Sequence, residues 1–239
     1  MINEDFSTRG KLHDVGRWYV TNFVQSVAQS LPRDASILDA GAGEGVYQKF
    51  FSHCQYKTID LAVGENRWNY SNLDYVGPLH EMPIEDCLFD AVLCTQVLEH
   101  LEWPRESVKE ICRVLKPGGK LYMTVPMAHP EHQMPYDFFR YTSYGLQSIC
   151  KHAGFQDIKS VPFGGLWVRW AYELPRGMSV FPPAGLRDNK INIIGLALLP
   201  VRFAALGMVR MLQVVCLWLD RFDTQKNDPF GWSCEATKK

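Results

Sequence analysis

Three glycines at alternate positions restrict this chain more than any other feature. From Ile37 to Tyr47 it reads ILDAGAGEGVY. Ile37-Leu38-Asp39 has the apolar character of a buried strand end, Gly41, Gly43 and Gly45 alternate with small or acidic residues, and a helical pattern starts near Val46. Glycine tolerates positive φ and lets backbone approach a ligand closely, so a strand passes into a helix through a tight turn shaped to hold something. The spacing is G-x-G-x-G, with Val46 in the sixth place, and not the G-x-G-x-x-G of dinucleotide binders. An acid, Asp39, stands two positions before the first glycine.

The rest of the chain extends this start into an alternating α/β pattern. Residues 11 to 30 predict a helix, with Val15, Trp18, Tyr19, Phe23, Val24 and Val27 at three- and four-residue spacings. It could cap a ligand site or cover a sheet edge. A strand over 35–40 and a helix over 45–52 lead to a second strand, Tyr56 to Asp60, whose terminal acid lies 21 residues after Asp39. In nucleoside-binding α/β folds an acid there accepts hydrogen bonds from both ribose hydroxyls. Val63 to Pro83 is polar and turn-rich, with a short strand at Leu73–Val76. Phe89 to Thr95 is an apolar run of central-strand length. A helix from Arg105 stops at Leu115-Lys116-Pro117-Gly118-Gly119, and a fifth strand follows from Lys120 to Val125. A helix over 143–153, stopped by Gly154, precedes a sixth strand from Phe155 to Val161.

Asp39-x-Gly41-x-Gly43-x-Gly45, Asp60, FDAVLCTQVLEHL and RVLKPGGKLYMTVP fall in order over about 90 residues. Together they resemble the class I S-adenosylmethionine-dependent methyltransferases. The resemblance implies a seven-stranded, doubly wound, Rossmann-like α/β sheet with S-adenosyl-L-methionine as cofactor. The residues it assigns to the cofactor are Asp39, Gly41, Ala42, Gly43, Gly45, Asp60, Leu61, Leu79 and Thr95. One departure stands out. Members commonly carry an acid for the adenine amino group after the glycine that ends strand three, whereas Gly77 here is followed by Pro78 and Leu79, leaving backbone groups or Glu81 for that task.

After strand five comes PMAHPEHQMPYDFFRYT, residues 126–142, where a doubly wound fold places its ligand crevice. The run His132-x-x-Pro135-x-Asp137-Phe-Phe-Arg140-Tyr141-Thr142 resembles a sub-group of these enzymes associated with small-molecule or glycan modification. His132, Asp137 or His100 could take a proton from an acceptor hydroxyl, with His129 a further candidate. Arg140, with Tyr136 beside it, could fix an anionic substrate group. The structural alternative makes Asp137 and Arg140, three apart, an ion pair that shapes the loop. No metal ligand set is assigned.

Where the standard fold would turn back at once into strand seven, this chain inserts Gly164-Gly165, an aromatic helix at Leu166–Leu174, the loop PRGMSVFPPAG and an apolar stretch from Ile191 to Leu219. Strand seven is expected over 230–238. The organisation is therefore 1–163 for the cofactor domain, 164–226 for a helical insertion, and 227–239 for the return to the sheet. In this topology the insertion shares the face of the ligand crevice and could roof the acceptor pocket. The longest uncharged run within it, Ile191 to Val201, is 11 residues and holds Pro200. A span needs roughly 20 apolar residues, so a true span is set aside. Intramolecular packing, a homodimer face, a lid and peripheral membrane contact through 190–222 stay open.

A net charge of −1, from 25 basic and 26 acidic residues, gives no footprint for nucleic acid. Thr95-Gln96-Val97-Leu98 also stands where DNA amino-methylases carry an Asp/Asn-Pro-Pro-aromatic motif. Seven scattered cysteines without C-x-x-C spacing read as reduced residues of a cytoplasmic protein, and MINEDFSTRGK has no signal-peptide pattern. The expected activity is methyl transfer to a small-molecule or glycan acceptor, more readily at oxygen than nitrogen. The alternative is a non-catalytic cofactor-binding scaffold that docks a partner through the insertion.

Overall fold

The computed structural model of the chain describes residues 11–12, 14–64, 68–182, 186–187 and 190–239. Most of the leading stretch read as lacking a signal peptide, and residues 183–185 of the turn-rich loop, lie outside the described residues. By its contacts the chain divides into one unit of residues 20–163 with 231–239, and a second of residues 1–19 with 164–230.

The first unit is built on a seven-stranded sheet. Its strands are β1 (Ser36–Ala40), β2 (Gln55–Asp60), β3 (Tyr75–Val76), β4 (Phe89–Thr95), β5 (Leu115–Pro126), β6 (Phe155–Pro162) and, after the hairpin β7 and β8 of the other unit (Leu186–Arg187, Lys190–Ile191), β9 (Gly231–Lys238). The order is β3-β2-β1-β4-β5-β9-β6. β9 runs antiparallel between β5 and β6, and β1 to β5 pair in parallel. This is the doubly wound sheet expected, interrupted by an insertion before its last strand. β1 and β4 are apolar on both faces, with Ile37, Leu38, Ala91, Val92 and Leu93 wholly buried, because helices cover a parallel sheet on either side. The loops after β1, β2, β4 and β5 consequently leave from one edge of the sheet.

Two local expectations are corrected. The helix over 45–52 is instead a series of turns ending in a 3₁₀ segment, Gln48–Phe50, bonded i to i+3 throughout. The whole crossover from β1 to β2 is residues 41–54, and the glycine turn consumes its first third, so too little chain remains for an α-helix. Strand three is confined to Tyr75–Val76 because Asp74 turns its carboxylate onto Lys57 Nζ (2.7 Å) and the Thr58 N–H (3.0 Å).

In the second unit the helix Leu199–Leu219 carries its polarity inside out. Its buried residues are Gln213 and Cys216, followed by Asp220, while Val201, Phe203, Met208, Met211 and Trp218 are exposed. Gln213 Nε2 donates to Ala171 O at 2.8 Å, and Arg210 donates to Gln213 Oε1 at 2.7 Å and to Leu12 O. Asp220 accepts from Gly165 N–H at 2.9 Å and from Lys226, and Asp223 accepts from Leu166 N–H, so two carboxylates cap the helix Leu166–Glu173. Leu199–Phe222 is long and apolar enough, by length and composition only, to cross a membrane. The sequence reading set a span aside because the longest uncharged run is 11 residues; the structure turns Arg210, a charge within the apolar stretch, onto Leu12 and Gln213.

Candidate active site

The glycine turn is held from below. Gly41, Gly43 and Gly45 have φ of 80°, 55° and 67°, a region favourable only to glycine. The N–H groups of Gly41 and Ala42 both donate to Ile59 O, at 2.8 and 3.1 Å. Asp60, ending β2, receives Gly43 N–H on one carboxylate oxygen and Ala62 N–H on the other, each at 2.9 Å. Glu44 accepts from Asn69 N–H at 3.0 Å, which ties the segment after β2 to the turn.

A Cβ at Gly41 would lie 2.4 and 2.6 Å from the two methyls of Val97, in the segment after β4. Gly41→Ala is therefore expected to cost about 2 kcal/mol, combining overlap with left-handed strain. Urea denaturation checks this. Adding Val97→Ala should recover the overlap part only; equal stability of Gly41→Ala and wild type would contradict the packing described.

Asp39 is almost wholly buried and accepts a hydrogen bond from the Tyr56 hydroxyl. Burial pushes its pKa up to about 7, against the lowering effect of Tyr56 and with Asp60 adding to the rise. Its carboxylate is tied to β2 through Tyr56, at the end of the strand that feeds the turn. The Leu79 side chain belongs to the hydrophobic core. Leu61 is exposed beside Asp60, and Thr95 is half-buried at the end of β4.

The second cluster forms on the loops after β4 and β5. Arg140 grips Asp137 with two parallel bonds, at 2.6 and 2.8 Å, and donates further to His129 O, Pro130 O and Phe139 O. All five of its N–H groups are thus committed to the loop. The ion-pair alternative accounts for Arg140, and its assignment as a substrate anchor is corrected. Asp137 also accepts from His132 N–H at 2.9 Å. The Arg140 bonds hold its carboxyl well below the usual range, so Asp137 stays ionised and is a poor proton acceptor. Tyr136 is exposed, and its carbonyl lies at Nδ1 of His100. Burial lowers the pKa of both His100 and His132, keeping the imidazoles neutral near pH 7. Their ring centroids are 4.6 Å apart, and His129 stands 4.2 Å from His132.

Glu99, within the 3₁₀ segment Leu98–His100, completes this cluster. It is fully buried, its pKa pushed up to about 8 by that burial. Its side chain was not singled out for a role by the sequence, because LEHL fits an apolar loop equally well. Tyr56 was missed for a similar reason: its bond to Asp39 crosses between neighbouring strands.

Residues 38–123 match the family model described as a methyltransferase domain. This stretch is a methyltransferase domain. Its cofactor is S-adenosylmethionine, and the residues fit it: a turn with glycine at three of its five positions, each at positive φ, and a half-buried carboxylate at the end of β2. A protein of Mycolicibacterium smegmatis named "Probable S-adenosylmethionine-dependent methyltransferase" is 34% identical over 96 residues, 38% of this chain and 37% of its own length. A ubiquinone biosynthesis O-methyltransferase of Xanthomonas oryzae is 34% identical over 101 residues, 38% of this chain and 42% of its own. A thiol S-methyltransferase of Rattus norvegicus is 28% identical over 127 residues, 49% of this chain and 45% of its own. The chain spans under half the length of these relatives. Among solved structures, the phosphoethanolamine N-methyltransferase 2 of Haemonchus contortus superposes with a TM-score of 0.53 at 18% identity, covering 91% of this chain and 52% of that one. The [4+2]-cyclase SpnF superposes at 0.54 and 17%, covering 91% and 80%. At those identities the likeness is one of fold, and the second neighbour shows that the methyltransferase-domain fold is not tied to a single reaction.

Proposed function

We propose that the protein transfers a methyl group from S-adenosylmethionine to a small-molecule or glycan acceptor, at oxygen in preference to nitrogen. The observation that carries this reading is the emergence of the glycine turn, Asp60 and the His100–His132 cluster from the same edge of one sheet. Bound cofactor supplies an activated methyl on a sulfonium. The chain then has mainly to align the acceptor, and positioning supplies roughly 7–11 kcal/mol of such a barrier. Asp60 would accept from the ribose hydroxyls, and the Gly41–Gly45 backbone would lie against the cofactor. His100 and His132, both neutral, present acceptor lone pairs toward a hydroxyl. Asp137 and Arg140 hold the loop that carries His132. The O- and S-methyltransferase relatives support an acceptor that must lose a proton. A cytoplasmic location, with membrane-surface contact or a homodimer through 190–222, belongs to the same proposal; the exposed apolar face of the helix Leu199–Leu219 supports the surface contact or the homodimer.

Calorimetric titration with S-adenosylmethionine and its demethylated product tests the cofactor half. Micromolar binding is expected, weakened at least roughly tenfold in Asp60→Ala through loss of charge-assisted bonds to two hydroxyls. No binding by well-folded protein would shift weight to a non-catalytic scaffold.

A further inference from the structure

The cluster of Glu99, His100 and His132 is unusual in what it leaves unmatched. Glu99 is 0% exposed, yet neither carboxylate oxygen meets a hydrogen-bond donor among the described residues, and the buried Nε2 of His100 is in the same position. Buried polar atoms in folded proteins are nearly always paired, and an orphan is destabilising. Ligand-type atoms of these three side chains lie within 4.8 Å of one another, with Glu99 Oε1 and His100 Nε2 3.9 Å apart.

The surroundings settle which nitrogen of each ring is available. Nδ1 of His100 meets the Tyr136 carbonyl, so that nitrogen carries the proton. Nδ1 of His132 lies 3.2 Å from Asp137 Oδ2 and 3.2 Å from Pro130 O, two acceptors, and carries its proton as well. Nε2 of both rings is left as a lone pair. Two ring nitrogens and a carboxyl group, itself without a hydrogen-bond partner among the described residues, are thus brought together, and loss of the Glu99 proton on ion binding would leave three ligands. Histidines that ligate a metal have this arrangement, with the second N–H given to a carbonyl or carboxylate that fixes the ring. Arg140, with both oxygens of Asp137 in its fork, fixes that carboxylate in turn.

We propose that Glu99, His100 and His132 bind a divalent transition-metal ion, with Zn²⁺ the best match to two imidazoles and one carboxylate. Three protein ligands leave a fourth position open, the arrangement of catalytic zinc sites. Magnesium fits poorly because it takes oxygen ligands. Tetrahedral ligands about 2.0–2.1 Å from zinc lie roughly 3.4 Å apart, so the side chains close on the ion by about an ångström. For its use, though not for its existence, the site rests on the methyl-transfer reading: an ion there would take the acceptor oxygen and ease loss of its proton.

The test is titration of chelator-stripped full-length protein with Co²⁺, followed by its visible d–d absorption and by Zn²⁺ competition. Stoichiometric binding is expected, without the thiolate charge-transfer band that coordination at exposed Cys87 would give. His132→Ala and the near-isosteric Glu99→Gln should each weaken it at least about tenfold, and Asp137→Asn by about 10–100-fold through release of the His132 ring. His132 lies on a partly exposed loop, so its variant keeps the fold by circular dichroism while losing the ion. No saturable Co²⁺ binding in wild type, or unchanged affinity in His132→Ala, overturns the site. Co²⁺ binding without S-adenosylmethionine binding overturns the methyl-transfer reading alone, and the reverse pattern overturns the ion site alone.

Discussion

As pH rises from 3.8 to about 7, the folded protein is expected to lose about 4 kcal/mol of stability through Asp39, and Asp39→Asn should abolish that loss. The sign follows from proton counting. In the unfolded chain the carboxyl ionises at its ordinary value of 3.8; in the folded chain burial keeps it protonated up to about 7. Between the two the folded state binds more protons, so each step up in pH favours unfolding. The contribution is complete below 3.8 and gone above about 7. Glu99, raised to about 8 by burial, acts with the same sign and leaves a residual slope in the Asp39→Asn variant. Denaturant melts of wild type and variant across this range give the difference directly. Asparagine keeps an acceptor for Tyr56, so parallel curves would mean that Asp39 is already ionised in the folded protein across this range.

Arg140→Ala should be comparably damaging, about 3–5 kcal/mol, because it removes the cation from Asp137, whose side chain is 3% exposed, and leaves that carboxylate only the neutral donors of His132. The loss should be concentrated on the loop. Phe138 N–H, bonded to Glu99 O at 2.8 Å, and Tyr136 N–H, bonded to Gln133 O, are the amides whose hydrogen-exchange protection should fall first. Arg140→Lys keeps the charge but has no planar fork, so it should restore only part of the stability. Unchanged protection at Phe138 in Arg140→Ala would show that the loop is held by something other than this pair.

How far the site could be read in advance depended on whether backbone or side-chain surroundings carried the information. Gly41, Gly43 and Gly45 were legible because left-handed backbone leaves a direct mark on residue choice. Asp60 was legible by its distance from them. The strand pattern followed from the buried runs at Ile37 and Phe89. Asp137 and Arg140 could be seen as a pair from their spacing of three, but spacing does not count donors, and the five bonds of Arg140 decided between loop and substrate. The burial of Leu79 and Asp39 was not legible, because it depends on neighbours distant in sequence. Glu99 stayed hidden for the same reason, since whether an acid beside apolar residues is buried without a donor is decided by the loop from β5 that folds back over it. The helix over 45–52 failed on chain length, a constraint visible only once β2 is known to begin at Gln55.

The inside-out helix Leu199–Leu219 reverses the usual rules of substitution. For most helices the covered stripe accepts only apolar residues and the other side tolerates nearly any polar one. Here the covered stripe requires an amide at Gln213 and a carboxylate at Asp220, both committed to hydrogen bonds, so a leucine in either place removes a partner that nothing else supplies. The opposite side is answerable to its environment and not to the fold. Swapping its exposed valines and methionines for lysine or glutamate would therefore change what that side can meet without refolding the unit.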